Sequence, residues 1–187
     1  MEQVLVRSER NVVLRHVVVV ALGAALVTLA AQVAVPLPGT PVPMTLQPLA
    51  VLLVGGLLGA RLGAMSMVLY LALGIAGLPV FTPTVPLLGI ARLLGPTGGY
   101  LLAYPVAAFA VGALVREGRD WRRVALGVLC GLVLIHVGGL AQLVILTGNV
   151  EGAARLGTLP FLLGDLAKLA VAVAVLTKLT PAVRARL

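Results

Sequence analysis

Charge is scarce in this chain. Asp, Glu, Lys and Arg make up 11% of its 187 residues, less than half of the roughly one quarter usual in soluble domains. Six acids and two histidines supply no paired catalytic carboxylates, no HExxH and no Ser/His/Asp set, so neither an enzyme nor a metal site is expected. The single cysteine, Cys130, excludes an internal disulfide and a cysteine metal cluster. No Gly-Lys-Ser/Thr follows a glycine-rich loop, so the chain has no phosphate cradle and hydrolyses no ATP by itself. What is abundant is apolar surface: 60% of residues are hydrophobic, and the mean hydropathy is +1.13. Fourteen basic residues against six acidic ones leave a net charge of +8. A nucleic-acid footprint would spread those cations over a polar surface, and here such a surface hardly exists. The composition is that of an all-α polytopic membrane protein with basic loops on one side.

A helix needs about 20 apolar residues to cross a hydrocarbon core of about 30 Å. Six apolar segments are expected to do so: Val17–Val35, Leu46–Gly59, Leu62–Leu78, Gly99–Val115, Val124–Thr147 and Leu162–Leu179. The second and third are short and meet at Gly59-Ala-Arg-Leu-Gly63. The runs are continuous and rich in Leu, Ala and Gly, without the alternation of barrel strands. Residues 1–187 are read as one integral membrane domain. The first span has a basic lead-in (Arg7, Arg10, Arg15) and small residues near Ala30–Ala34, as a signal peptide would. Its apolar run is long for an h-region, and a retained span is expected. With a cytoplasmic N-terminus, eleven of the fourteen basic residues fall on the inner side and the C-terminus returns there. Arg92, Arg155 and Lys168 remain outside and unexplained by that rule.

Ten of twelve prolines also fall in or beside the outer loops, five of them between Pro36 and Pro48. Proline fixes φ and lowers the entropy lost when a loop orders. The first loop is therefore semi-rigid, serving as a stiff connector or as a lid over an outward-facing pocket. The second loop ends in Arg92-Leu-Leu-Gly-Pro-Thr-Gly-Gly-Tyr100, and one of Tyr100 and Tyr104 is expected in the aromatic belt at the membrane interface. The sixth span holds Asp165 and Lys168, spaced i, i+3 on one helix face. At mid-helix each costs about +2.5 to +3.5 kcal/mol of insertion free energy, while each Leu or Val returns roughly 0.3 to 0.6. The nine Leu and Val residues of that segment would be cancelled by an unpaired pair. Asp165 and Lys168 should therefore face protein or water; the bland alternative is Asp165 as a helix N-cap with Lys168 snorkelling outward.

His16 and His136 have no partners at metal-ligand spacing. His136 lies mid-span, where a helix neighbour would satisfy it or a proton relay would use it. Gln142, Thr147 and Asn149 either line a pocket or bond between helices. Arg155 is expected to be an ordinary loop charge beside Glu151. Ala21-Leu-Gly-Ala-Ala25 is a small-xxx-small pattern that permits close helix approach, within the fold or with a partner.

Five motifs occur in a recognisable order: Pro41-Val-Pro-Met-Thr-Leu-Gln47, Leu57-Leu-Gly-Ala-Arg-Leu-Gly63, Tyr70-Leu-Ala-Leu-Gly-Ile-Ala-Gly-Leu-Pro-Val-Phe81, Gly95-Pro-Thr-Gly-Gly-Tyr100 and Gly164-Asp-Leu-Ala-Lys168. Together, from about Val17 to Leu179, they resemble the BioY family, the biotin-specific substrate-binding (S) components of energy-coupling factor (ECF) transporters. The resemblance implies a six-helix bundle with cytoplasmic termini in a prokaryotic cell membrane, and an outward-facing biotin site under the first loop. It also implies partners: a transmembrane T component and two ATPase subunits, on which the S component topples. Ala21 and Ala25 match the docking surface for the T component. Asp165 would accept from the ureido N–H groups of biotin. Arg92 and Lys168 are the candidate cations for the ureido oxygen and the tail carboxylate, with their assignment open. Tyr100 would cover the bicycle, and Thr45 and Gln47 would add hydrogen bonds. No cofactor is implied; biotin is the transported ligand and the partner subunits hydrolyse ATP. Two other readings remain: an S component for another small vitamin, and a ligand-free structural subunit of a membrane complex.

Overall fold

A computed structural model describes residues 2–186. The side chains of residues 2–11, those of Arg7 and Arg10 among them, lie outside the described residues. The chain opens with helix α1 (Glu2–Gln32), followed by strands β1 (Ala34–Val35) and β2 (Met44–Thr45). Helices α2 (Gln47–Leu58), α3 (Ala60–Ile75), α4 (Ile90–Leu94), α5 (Gly98–Val115), α6 (Trp121–Thr147), α7 (Val150–Gly157) and α8 (Leu162–Arg184) complete it. A single 3-10 turn at Leu159–Phe161 joins the last two.

Four helical stretches, in α1, α5, α6 and the α7–α8 segment, are long and apolar enough to cross a membrane. Helices α2 and α3 are apolar but have 12 and 16 residues, short of the length expected of a full span. The break between them falls at Gly59, whose φ of 86° is open to glycine and strained for other residues. The first helix ends at Gln32 rather than Val35, because residues 34–35 leave it to pair antiparallel with residues 44–45. The proline-rich first loop thus closes as a small ribbon. Pro48 occupies the first turn of α2, where its missing N–H costs nothing.

Helix α5 is central, packing against α6, α3 and α2; α1 lies against α3 and α2, and α8 against α2 and α6. The crossing of α5 and α6 is close because Gly99 and Gly138 meet there, where a Cβ on either would run into the other's carbonyl. Polarity is inverted relative to a soluble bundle. Leu163 and Ile145 are 84% and 78% exposed, whereas Arg92 is 1% exposed and Gln47, Asp165 and Lys168 are buried. An apolar exterior, with charged side chains turned into the bundle, is what lipid as solvent selects. This is a multi-pass membrane protein.

The two ends of the bundle differ. At one end the loops after α1, α3 and α6 converge: Thr40 Oγ1 donates to the Leu156 carbonyl at 2.6 Å, and Gln32 Nε2 to the Phe81 carbonyl at 3.5 Å. At the other end Arg15 Nη1 donates to the Arg186 carbonyl at 3.0 Å, so α1 and the C-terminal segment share it. There the Arg184 guanidinium donates to the carbonyls of Gly56 and Gly112, in the last turns of α2 and α5. Those carbonyls lack helical partners, and a cation there also suits the negative ends of the two helices.

Candidate functional site

The loop-covered end holds a cleft between α2, α5, α6 and α8. It is built first on α8. Asp165 and Lys168 share a face and are both buried, and Lys168 Nζ donates to Asp165 Oδ1 at 2.9 Å. The N-cap alternative is thereby excluded: α8 starts at Leu162 without a side-chain cap, and Lys168 turns inward rather than snorkelling. Helix α6 adds His136, whose Nε2 lies 2.6 Å from Asp165 Oδ2. Its partner is therefore on another helix, 29 residues away, not a neighbour on its own.

Helix α5 contributes the two tyrosines. Tyr100 and Tyr104 are both buried, so neither belongs to an interfacial belt. Glycines at the start of α5 bring its backbone close to α6 and point Tyr100 across the cleft. Its hydroxyl donates to the Gly157 carbonyl at the end of α7, and its ring meets the His136 ring edge-on, with centroids 6.2 Å apart. Helix α2 supplies Gln47, which donates through Nε2 to the Tyr70 hydroxyl at 2.6 Å. Thr45, at the end of β2, donates through Oγ1 to Gln47 Oε1 at 3.3 Å and accepts from the Gln47 N–H at 3.2 Å.

Arg92 comes from the short helix α4. Nη1 donates to the Val85 carbonyl at 2.6 Å and Nη2 to the Thr82 carbonyl at 3.1 Å. The guanidinium therefore ties the second loop together, with the Phe81 ring 6.0 Å from its centre. Burial draws it below its ordinary pKa, yet Arg remains a cation in proteins. No carboxylate pairs with it among the described residues. Glu117, Asp120, Glu151 and Asp165 all pair with other bases.

All six residues expected at a site, Thr45, Gln47, Arg92, Tyr100, Asp165 and Lys168, line this one cleft. His136, Thr97 and Tyr104, not among those six, line it too. The sequence marks His136 as a mid-span imidazole but does not pair it with Asp165, because helix contacts set that pairing. Gln142, Thr147 and Asn149 serve structure instead. Gln142 donates to the Leu94 carbonyl at 3.2 Å, Thr147 to the Leu143 carbonyl at 2.8 Å, and Asn149 Oδ1 caps α7. Arg155 pairs with Glu151 at the surface, at 2.6 Å.

Three buried polar atoms of the cleft have no hydrogen-bond partner among the described residues: Arg92 Nε, Thr97 Oγ1 and His136 Nδ1. Buried polar groups are normally bonded, so three such atoms on residues that line one cleft mark a place for a small polar molecule. The set offers one carboxylate, two cations and several neutral donors. It holds no activated nucleophile.

The sequence model of the BioY family matches residues 3–185. A probable biotin transporter BioY of Pyrococcus horikoshii is 41% identical over 165 residues, covering 88% of this chain and 96% of that protein. The biotin transporter BioY of Thermotoga maritima is 32% identical, covering 89% of this chain and 96% of its own. Among solved structures, the crystal structure of the S-component for biotin from an ECF-type ABC transporter superposes with a TM-score of 0.81. It shares 27% identity and covers 90% of this chain and 92% of that one.

Proposed function

The chain belongs to the BioY family, and from that membership and the cleft we propose that it is the biotin-binding S component of an ECF transporter in a prokaryotic cell membrane. It binds a vitamin and moves it; it is not an enzyme. Six helices, α1, α2, α3, α5, α6 and α8, cross the bilayer, and both termini are cytoplasmic, as the eleven-to-three division of basic residues demands. The loop-covered end then faces outward. Helices α2 and α3 are short for a full crossing and meet at the turn at Gly59.

The observation that carries the reading is the combination of a buried Asp165–Lys168–His136 cluster with a buried Arg92 that pairs with no carboxylate among the described residues. Biotin has a ureido head with two N–H donors and a carbonyl, an apolar bicycle, and a tail ending in a carboxylate. Lys168 is already neutralised by Asp165, and Arg92 is not. The uncompensated cation takes the ligand's anion, so the tail carboxylate goes to Arg92. The ureido head goes to Asp165 as acceptor and Lys168 as donor. Tyr100 covers the bicycle, and Thr45 and Gln47 add polar contacts beneath the first loop.

Energy comes from elsewhere, since the sequence has no phosphate loop. A T component and two ATPase subunits supply it, and the chain docks on the T component through Ala21 and Ala25, which are exposed on α1. Titration of the purified protein with biotin tests the assignment. Tight one-to-one binding, with none to other small vitamins, is the expected result. Failure to bind biotin overturns it.

A further inference from the structure

Asp165 has two neighbours, and only Lys168 follows from the spacing of α8. The other, His136, approaches the opposite carboxylate oxygen at 2.6 Å. Its Nδ1 is buried and meets no acceptor or donor among the described residues. Nε2 must carry a hydrogen to donate to the Asp165 carboxylate.

The groups around the ring are Asp165 and Lys168 on α8 and Tyr100 on α5. Arg92 and Tyr104 line the same cleft, Gln47 is the polar group from α2, and Glu151 and Arg155 of α7 pair with each other at the surface.

We propose that His136 is a positioning residue of the ligand site: through Nε2–H it holds the Asp165 carboxylate in place for the ligand's N–H donors. This rests on the biotin reading above.

Calorimetric titration of the purified full-length protein with biotin tests this. His136→Gln keeps an N–H for Asp165 and should bind within about threefold of wild type, whereas His136→Phe offers none and should lose about tenfold or more. Wild-type affinity in His136→Phe, or an equal loss in His136→Gln and His136→Phe, overturns the proposal. If the Phe variant does not fold, the histidine spectra below decide.

A ligand-free measurement separates this from the biotin reading. With two histidines in the chain, nitrogen-15 histidine spectra are assigned with His16→Gln. A ring carrying its hydrogen on Nε2 that responds to Asp165→Asn is expected. An Nδ1–H ring, or no response, overturns the pairing even if biotin binds. Wild type that binds no biotin overturns the biotin reading, while the spectra still judge His136.

Discussion

At the scale of single residues, the cleft is governed by how buried charge is balanced. Asp165 uses one oxygen for Lys168 and the other for His136. Removing one member of a buried pair strands the other, at a cost of several kcal/mol. Asp165→Asn keeps the shape and loses the anion, so biotin affinity is expected to fall at least about tenfold while the protein still folds. Unchanged affinity by titration would remove Asp165 from the site. Arg92 poses a different question, because backbone carbonyls hold two of its nitrogens and no acid among the described residues neutralises it. If it takes the tail carboxylate, wild type should prefer biotin to its neutral tail amide, and Arg92→Gln should not discriminate between them. A preference that survives in Arg92→Gln assigns the carboxylate to Lys168. Asp165 and Lys168 could be read from the sequence because they sit three residues apart on one helix. His136 could not be joined to them, since its partner is brought by the packing of α6 on α8.

At the scale of elements, two contacts set the cleft's walls. Helix α5 can approach α6 closely because Gly99 and Gly138 lack side chains where their backbones touch. Gly138→Val places a branched side chain on the Gly99 carbonyl. It should lower stability by about 1 to 3 kcal/mol, as overpacking does, and weaken biotin binding by moving Tyr100. A melting temperature and affinity equal to wild type would contradict this packing account. The second contact is a latch. Thr40 bridges the proline-rich loop to α7, donating to Leu156 and accepting from the Val42 N–H at 3.1 Å. Thr40→Val removes a bond worth about 1 kcal/mol, so biotin should leave about fivefold faster, as stopped-flow chase would show. An unchanged off-rate would return the loop to a mere connector. The prolines made the stiffness of this loop readable, but α7 was not. Its eight residues are short and weakly apolar, and the helix stands because Asn149 caps it and Ala153 and Gly157 are buried against the bundle.

At the scale of the whole molecule, the two ends do different work. Arg184 ties α8 to the last turns of α2 and α5 at the end shared by α1 and the C-terminal segment. The opposite end is roofed by loops over the cleft. The remaining large feature is the side of α1 that turns away from the bundle, where Ala21 and Ala25 lie beside exposed Leu22 and Leu26. Gly23, Ala24 and Val27 on the same helix are buried instead. The small-residue pattern therefore has two faces, one packed internally and one free for a partner. Replacing Ala21 and Ala25 together with Trp should abolish biotin uptake in cells while leaving binding to the purified protein intact. Continued uptake would remove the docking role.

Low charge and long continuous apolar runs without strand alternation determined that this is a helical membrane protein. The Asp165–Lys168 pair also follows from local spacing. Tertiary structure decided the rest. It shortened α2 and α3, turned both Tyr100 and Tyr104 inward, gave Arg92 two carbonyls but no acid among the described residues, and set His136 against Asp165. The reason is physical. Periodicity records which face of a helix avoids lipid, whereas the partner of a buried charge is chosen by contacts between helices far apart in the chain.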